Sequence, residues 1–211
     1  RKSANQGLAR AQTNLGILFE TGVGVQQNYD EAIAWYTKAA EQGYARGETY
    51  LGRIYEFGRG VAIDFTKAFY WYSKAAEQGY PRAQTNLGAL YEAGQGVEQN
   101  FQEAIVWYRK AAEQRYARGQ FYLGRMYEQG RGTEKDFTQA LYWYKQAAAL
   151  GHNQALANSE KLITATDSKP EKKSPVSAEF TADKGPVPPK NNVAAAEQEN
   201  PDELNSLALL Y

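Results

Sequence analysis

Apolar residues in this chain follow the period of an α-helix in two stretches of every 36 residues. In the first stretch, Ala11, Leu15, Leu18 and Phe19 fall on one face of a helix. Three further units repeat this stripe with Leu51, Ile54, Tyr55, Leu87, Leu90, Tyr91, Leu123, Met126 and Tyr127. The pattern therefore predicts a helix at the start of each unit.

The second stretch of each unit contains a tryptophan, a tyrosine and then two alanines. The four tryptophans of the chain stand 36 residues apart, at Trp35, Trp71, Trp107 and Trp143. In the first unit the predicted buried face is Ala32, Trp35, Tyr36, Ala39 and Ala40. The fixed spacing indicates that the indoles are core residues, not a ligand cage. A repeat of this length is typical of an array in which each unit buries its apolar face on the next.

The turns and caps between the helices are equally regular. A Gly-x-Gly follows each first helix, where glycine allows positive φ angles in a tight turn. The second helix follows a residue favoured as an N-cap, namely Asn28, Asp64, Asn100 or Asp136. Glu31, Glu103 and Gln139 stand three positions later and predict reciprocal capping boxes, whereas Lys67 does not. Gly16 and its equivalents predict a close approach of the paired helices.

These features predict an all-α protein, an α-solenoid of antiparallel helix pairs. The units span 8–43, 44–79, 80–115 and 116–151. Units one and three share Ala-Gln-Thr-Asn-Leu-Gly, and units two and four share Arg-Gly-x-x-Tyr-Leu-Gly-Arg, so a block of two units looks duplicated.

Both ends depart from this repeat. Residues 1–7 match the end of a unit, which predicts a truncated upstream repeat. Residues 152–163 keep part of the first-helix stripe and predict a capping helix. The composition of 164–211 predicts a flexible, low-complexity tail. Within it, 201–210 is interpreted either as a short docking helix or as a truncated end.

Composition narrows the functional classes. The formal net charge is zero, so no overall field favours nucleic acid, and no apolar run is long enough to span a membrane. Cysteine is absent and histidine occurs once, at His152, which is interpreted as an exposed cap residue. We expect no metal, cofactor or catalytic residues, because no nucleophile has an evident base and no ligand spacing appears. The compartment and the oligomeric state stay open.

The units resemble Sel1-like repeats, which are relatives of the tetratricopeptide repeat. The matching residues in the third unit are Ala83, Leu87, Gly88, Tyr91, Gly94, Gly96, Val97, Asn100, Ala104, Trp107, Tyr108, Ala111 and Ala112. Departures from the pattern are Arg115, Thr133, Phe19, Asn28 and Asn100. The resemblance implies a right-handed α-solenoid that serves as a protein- or peptide-binding scaffold, often in bacterial signalling or envelope processes. Some relatives are cysteine-rich β-lactam hydrolases, which leaves a hydrolase as a remote alternative for this cysteine-free chain.

In such a superhelix the first helix of each unit lines a concave groove. The face opposite the apolar stripe predicts the residues that contact a partner: Arg10, Asn14, Arg46, Tyr50, Arg53, Arg82, Asn86, Arg118, Tyr122 and Arg125. Asparagine amides could hold a peptide main chain, and Arg53 and Arg125 could bind acidic groups. Alternatively, Arg53 and Arg125 brace Glu56 and Glu128 three residues away, and the other arginines form salt bridges between repeats.

The leading hypothesis is therefore a non-catalytic scaffold or adaptor that binds a protein or peptide in its concave groove. The competing hypothesis is a structural or assembly component of a larger repeat protein, in which the groove is not the main binding surface.

Overall fold

The chain forms a row of helices of nearly uniform length. The computed structural model describes residues 2–167, and all regular elements in that range are α-helices. They are α1 (Lys2–Asn5), α2 (Ala9–Thr21), α3 (Tyr29–Glu41), α4 (Ala45–Phe57), α5 (Phe65–Glu77), α6 (Pro81–Ala93), α7 (Phe101–Glu113), α8 (Ala117–Gln129), α9 (Phe137–Ala149) and α10 (Asn153–Asp167).

Neighbouring helices pack in chain order, as in a solenoid. The main pairs are α2 with α3, α4 with α5, α6 with α7, and α8 with α9. Each pair leans on the next through its second helix, and the first helices α2, α4, α6 and α8 also contact one another in sequence. This architecture confirms the all-α solenoid of paired helices that the periodicity predicts.

Tyrosine, not tryptophan, occupies the centre of each unit. Tyr36, Tyr72, Tyr108 and Tyr144 are each 0% exposed. The four tryptophans are only half-buried. Trp71, Trp107 and Trp143 pack at the edge of cores that span two units. These indoles therefore pack against the core, as predicted, but they lie at its edge and not at its centre. Adjacent residues on a helix point about 100° apart, and here the tyrosine faces the partner helix.

Glycine on the first helix creates the space for each tyrosine ring. A Cβ atom added at Gly16 would lie 2.5 Å from Cε1 of Tyr36, and one added at Gly88 would lie 2.7 Å from Cε1 of Tyr108. Gly52 and Gly124 stand in the same relation to Tyr72 and Tyr144. The predicted close approach is confirmed, and its cause is this tyrosine.

The second helices have the predicted N-cap side chains but not the predicted capping boxes. The side chains of Asn28, Asp64, Asn100 and Asp136 each accept a hydrogen bond from the backbone N–H three residues later. The reciprocal half of the capping box is wrong, because the Asn28 N–H donates to the carbonyl of Phe19 at 2.9 Å. The equivalent N–H groups at the other three caps donate in the same way. Glu31 instead accepts from the indole N–H of Trp35.

The last helix of the described residues, α10, packs against α9. Ala155 and Leu162 keep the buried stripe of a first helix, and the helix continues beyond its predicted end at residue 163. His152 caps this helix by accepting from the Ala155 N–H, but it is half-buried and stacks on Phe121, so its predicted exposure is wrong. The predicted helix at 201–210 and the tail beyond residue 167 lie outside the described residues.

Replacing Gly88 by leucine should break the array in the middle. The added side chain would collide with the Tyr108 ring, so we expect a loss of roughly 1–3 kcal/mol from overpacking and of the contacts that depend on this pair. Native-state hydrogen exchange should show lost protection in α6–α9 while α2–α5 stay protected, because coupling in such arrays is between nearest neighbours. Ala93→Leu places the same side chain at an exposed position of α6 and should change little. Uniform loss of protection in all units would contradict this coupling.

Arg115 is the one non-glycine residue with positive φ among the described residues, at 62°. Its equivalents Gly43, Gly79 and Gly151 have φ values of 72°, 86° and 85°. We expect Arg115→Gly to stabilise the protein by about 1 kcal/mol, since only glycine adopts this conformation without strain. Urea unfolding measures the change. The reverse substitution, Gly79→Arg, is the matched control and should destabilise by a similar amount; equal stability of both variants with wild type would refute the explanation.

Candidate functional site

The first helix of each unit ends with a glutamate that binds the central tyrosine. Tyr36 Oη donates to Glu20 Oε2 at 2.6 Å, and Tyr108 Oη donates to Glu92 Oε2 at 2.8 Å. Tyr72 and Tyr144 donate likewise to Glu56 and Glu128. Burial, reinforced by the adjacent carboxylate, raises the pKa of all four tyrosines, so each remains a protonated donor.

Arginines from the following unit neutralise two of these glutamates. Arg125 Nη2 lies 2.7 Å from both carboxylate oxygens of Glu92, and Arg131 Nη1 lies 3.1 Å from Oε1. Glu20 accepts in the same way from Arg59. The interpretation of Arg125 as a brace for Glu128 is therefore wrong, because Arg125 instead binds Glu92 in the preceding unit. We call such a contact region between two consecutive units a joint. These ion pairs join unit one to two and unit three to four.

A second tyrosine covers the first at the same two joints. Tyr50 stacks on Tyr36, and Tyr122 stacks on Tyr108, with ring centroids 5.1 Å apart in both pairs. Tyr50 is only 8% exposed as a result. The face that the sequence predicts as open is largely covered, since Thr13, Ile17, Glu20, Thr49, Thr85 and Phe121 are also buried. The neighbouring first helix covers it, because these helices pack on one another as well as on their partners.

Three guanidinium groups surround the Tyr50 ring. Those of Arg46, Arg53 and Arg82 lie 5.8, 5.1 and 5.4 Å from its centroid, and all three side chains are half-buried. Arg82 belongs to α6 and the other two to α4, so the group spans the joint between units two and three. We call Tyr50 with these arginines the Tyr50 cluster. Arginine over an aromatic face keeps its edge N–H groups available for hydrogen bonds in the ring plane.

The remaining predicted residues extend the same surface. Arg118 and Arg125 lie 5.9 and 4.8 Å from the centroid of Tyr122. Asn14 Oδ1 accepts from Arg46 Nη1 at 3.4 Å, so its oxygen is engaged with a neighbour. Asn86 is half-buried, and Arg10 and Arg118 are exposed.

Arg59 and Arg131 were not among the predicted site residues. They lie in the turn after the first helix, at the position between the two glycines. Their sequence signal is co-occurrence: units two and four carry both this arginine and the one at Arg53 or Arg125, and units one and three carry neither. The spacing between partners, 39 residues for Arg131 and Glu92, exceeds one unit and is invisible to a search for local pairs.

Fold and joints together define a class of protein: a helix-pair array with a tyrosine seated on glycine in each unit. The Sel1 repeat family profile matches residues 9–44, 45–80, 81–116 and 117–152. The chain belongs to the Sel1 repeat family. Sel1 repeats generally mediate protein–protein interactions.

Solved structures of two bacterial proteins resemble this one closely. The first is c5321, a protective antigen present in uropathogenic Escherichia coli strains, with 37% identity and a TM-score of 0.74 over 78% of this chain and 35% of that chain. The second is a Sel1 repeat protein from Oxalobacter formigenes, with 40% identity and a TM-score of 0.69 over 73% and 63% of the two chains. The present chain thus spans less than two thirds of either relative. No protein with curated annotation matches it.

The described part of the chain contains neither a candidate metal cluster nor a candidate membrane-spanning helix. Within residues 2–167, no group of three or more His, Cys, Asp or Glu side chains is placed to hold a metal ion. No helix in that range combines the length and apolar character needed to cross a bilayer.

Glu92 and Glu128 allow a direct comparison of a glutamate that binds both a tyrosine and two arginines with one that binds a tyrosine. Glu92→Gln removes a charge that holds two arginines and should cost about 3 kcal/mol, near the lower end for breaking a buried pair. Glu128→Gln retains an acceptor for Tyr144 and should cost about 1 kcal/mol or less. Urea unfolding followed by circular dichroism gives both values. Equal losses for the two variants would show that the arginines of the fourth unit add nothing to the joint.

Proposed function

We propose that this chain is a non-catalytic scaffold that binds an acidic segment of a partner protein along the surface of α2, α4, α6 and α8. The general role of Sel1 repeats in protein–protein interaction supports a binding function. Sel1 repeat proteins are also generally non-catalytic scaffolds, which supports the absence of an enzymatic role. The proposed contacts are those that the sequence predicts, with the Tyr50 cluster as the principal one.

The observation that carries this proposal is the convergence of three arginines on one aromatic ring. A guanidinium that stacks on a ring loses side-chain freedom before any ligand arrives, so less entropy is lost on binding. Its planar edge matches a carboxylate, which it can hold through two parallel hydrogen bonds. An Asp or Glu side chain, or a C-terminal carboxylate, is therefore the chemical group best suited to this cluster.

Arg53 and its equivalent Arg125 have different tasks in this proposal. Arg125 is bound by both oxygens of Glu92, and its release would cost that ion pair. Arg53 lies over the Tyr50 ring, and the matching glutamate, Glu20, accepts instead from Arg59. An acidic ligand should therefore contact Arg53 more strongly than Arg125, although the two occupy the same position in the repeat.

A structural or assembly role is the second candidate. Tyr70 and Tyr142 are each 52% exposed on the second helices, edge-on to Trp71 and Trp143. Two exposed tyrosines at equivalent positions of units two and four suit contact with another protein surface on the side away from the proposed groove. This role predicts that binding depends on Tyr70 and Tyr142 and is insensitive to Arg53.

Arg53→Ala should weaken binding of an acidic peptide by about tenfold, which corresponds to about 1.4 kcal/mol for a charge-assisted contact. The probe is a fluorescent Glu-rich peptide titrated in low and in moderate salt, with fluorescence anisotropy as the measurement. Affinity for the wild type should fall as salt increases, because part of the attraction is screened.

Lys110→Ala is the matched control, since it removes one positive charge from an exposed position on the second helix α7. It should leave the affinity unchanged. If Lys110→Ala and Arg53→Ala weakened peptide binding equally, the effect of Arg53→Ala would result from the change in net charge and not from a specific contact. Unchanged affinity in correctly folded Arg53→Ala would contradict the proposal that the peptide binds in the groove. Loss of binding in Tyr70→Ala would instead support the assembly role.

A further inference from the structure

In three of the four units, a buried glutamine ties the first helix to the second helix that precedes it. The side-chain amides of Gln12, Gln84 and Gln120 donate to the carbonyls of the residues eight positions earlier, at 3.3, 3.3 and 3.1 Å; these are Ala4, Ala76 and Ala112. The amide oxygens of Gln12 and Gln84 accept in turn from Gln42 and Gln114 at the C-terminal ends of their second helices. One amide therefore satisfies a donor and an acceptor on two different helices.

The fourth unit shows that the glutamine at the end of the second helix is needed to satisfy the oxygen of the buried amide. Leu150 stands where the other units have glutamine. The side-chain oxygen of Gln120 is buried there without a hydrogen-bond partner among the described residues.

In the second unit this glutamine is replaced by Glu48. Its side chain is 0% exposed, and Oε2 accepts from Gln78 Nε2 at 2.7 Å. Its other oxygen, Oε1, is buried without a hydrogen-bond partner in the part of the chain that the structure describes. The Ala40 carbonyl is the equivalent of the carbonyls that bind the other three glutamines. An ionised carboxylate has no donor to offer that carbonyl, whereas a carboxylic acid has one.

We propose that Glu48 is held in the fold as the neutral carboxylic acid, that its O–H donates to the Ala40 carbonyl, and that loss of this proton loosens the joint between units one and two. The acid then reproduces both hydrogen bonds of a glutamine, with Oε1 as the donor and Oε2 as the acceptor. A carboxylate in the same place would bury a charge and leave one oxygen opposed to a carbonyl oxygen.

The surroundings of Glu48 supply little compensation for a negative charge. Lys74 on α5 favours the ionised form, while Glu77 on the same helix disfavours it, and Gln78 contributes a neutral donor. The charged residues at the end of α3, Lys38 and Glu41, are exposed to solvent. Burial is the largest influence, and it raises the pKa of Glu48 above the ordinary value of 4.5.

The sign of the pH dependence follows from proton linkage. The folded state keeps a proton that the unfolded chain releases above about pH 4.5. Stability from this proton is complete below the unfolded pKa and is lost as pH rises through the folded pKa. Increasing pH should therefore weaken the contact of α4 with α3, while the equivalent joints made by glutamine do not respond.

Glu48→Gln tests the proposal in the full chain, because the new side chain copies the other three units. Within the window above pH 4.5, the wild-type folding constant should fall relative to that of the variant by up to tenfold for each pH unit. Urea unfolding at several pH values between 4 and 8 measures the ratio, and taking the ratio cancels the titration of all other groups. Hydrogen exchange should place the wild-type loss of protection in α3 and α4.

Gln84→Glu is the matched variant, since it should transfer the same pH dependence to the joint between α5 and α6. It is measured at pH 4 as well as at neutral pH, so that a fold weakened at neutral pH is still observed. Parallel pH profiles of wild type and Glu48→Gln would overturn the proposal. So would carbon-13 NMR of the Glu48 carboxyl if that group titrated at or below pH 4.5 in the folded protein.

Discussion

The fold depends on a tyrosine ring that fits against a bare helix backbone and whose hydroxyl is held by a carboxylate. At Gly16 and Gly88 the ring takes the space of a side chain, and Glu20 and Glu92 accept from the hydroxyl at the end of the same helix. A buried phenol without a partner would carry a desolvation cost of about 1–3 kcal/mol. The glycine and the glutamate are thus two halves of one requirement, and each unit of the array repeats it.

The carboxylate that holds the tyrosine also links neighbouring units, and here the units differ. Arg59 and Arg131 bind glutamates of units one and three, while Glu56 and Glu128 stay half-buried with their own tyrosines. Stacked tyrosines reinforce the same two joints. The proposed binding surface shows the same alternation, because Arg53 and Arg125 belong to the units that supply the arginines. Both lie over a tyrosine ring, but Arg125 is also bound to Glu92.

Periodicity was sufficient to predict the architecture, since helix length, glycine turns and N-caps are all local signals repeated four times. It could not decide between Trp35 and Tyr36 for the central position, because both lie near the same helix face and only the position of Gly16 distinguishes them. It also placed Thr13 and Glu20 on an open face. Polar residues on a helix usually face solvent, and their burial here results from lateral contact between first helices, which no single unit contains. The Arg131–Glu92 ion pair was not predicted for the same reason, because it also joins residues of two different units.

The pairing of arginine with glutamate across alternate joints restricts how such an array can change its length. Loss of the second unit alone would bring Glu20 opposite Gln95 in place of Arg59, leaving a buried carboxylate without its cation. Loss of units two and three together would bring Glu20 opposite Arg131 and Arg125 and restore the pair. Insertions and deletions that preserve these ion pairs should therefore add or remove two units at a time.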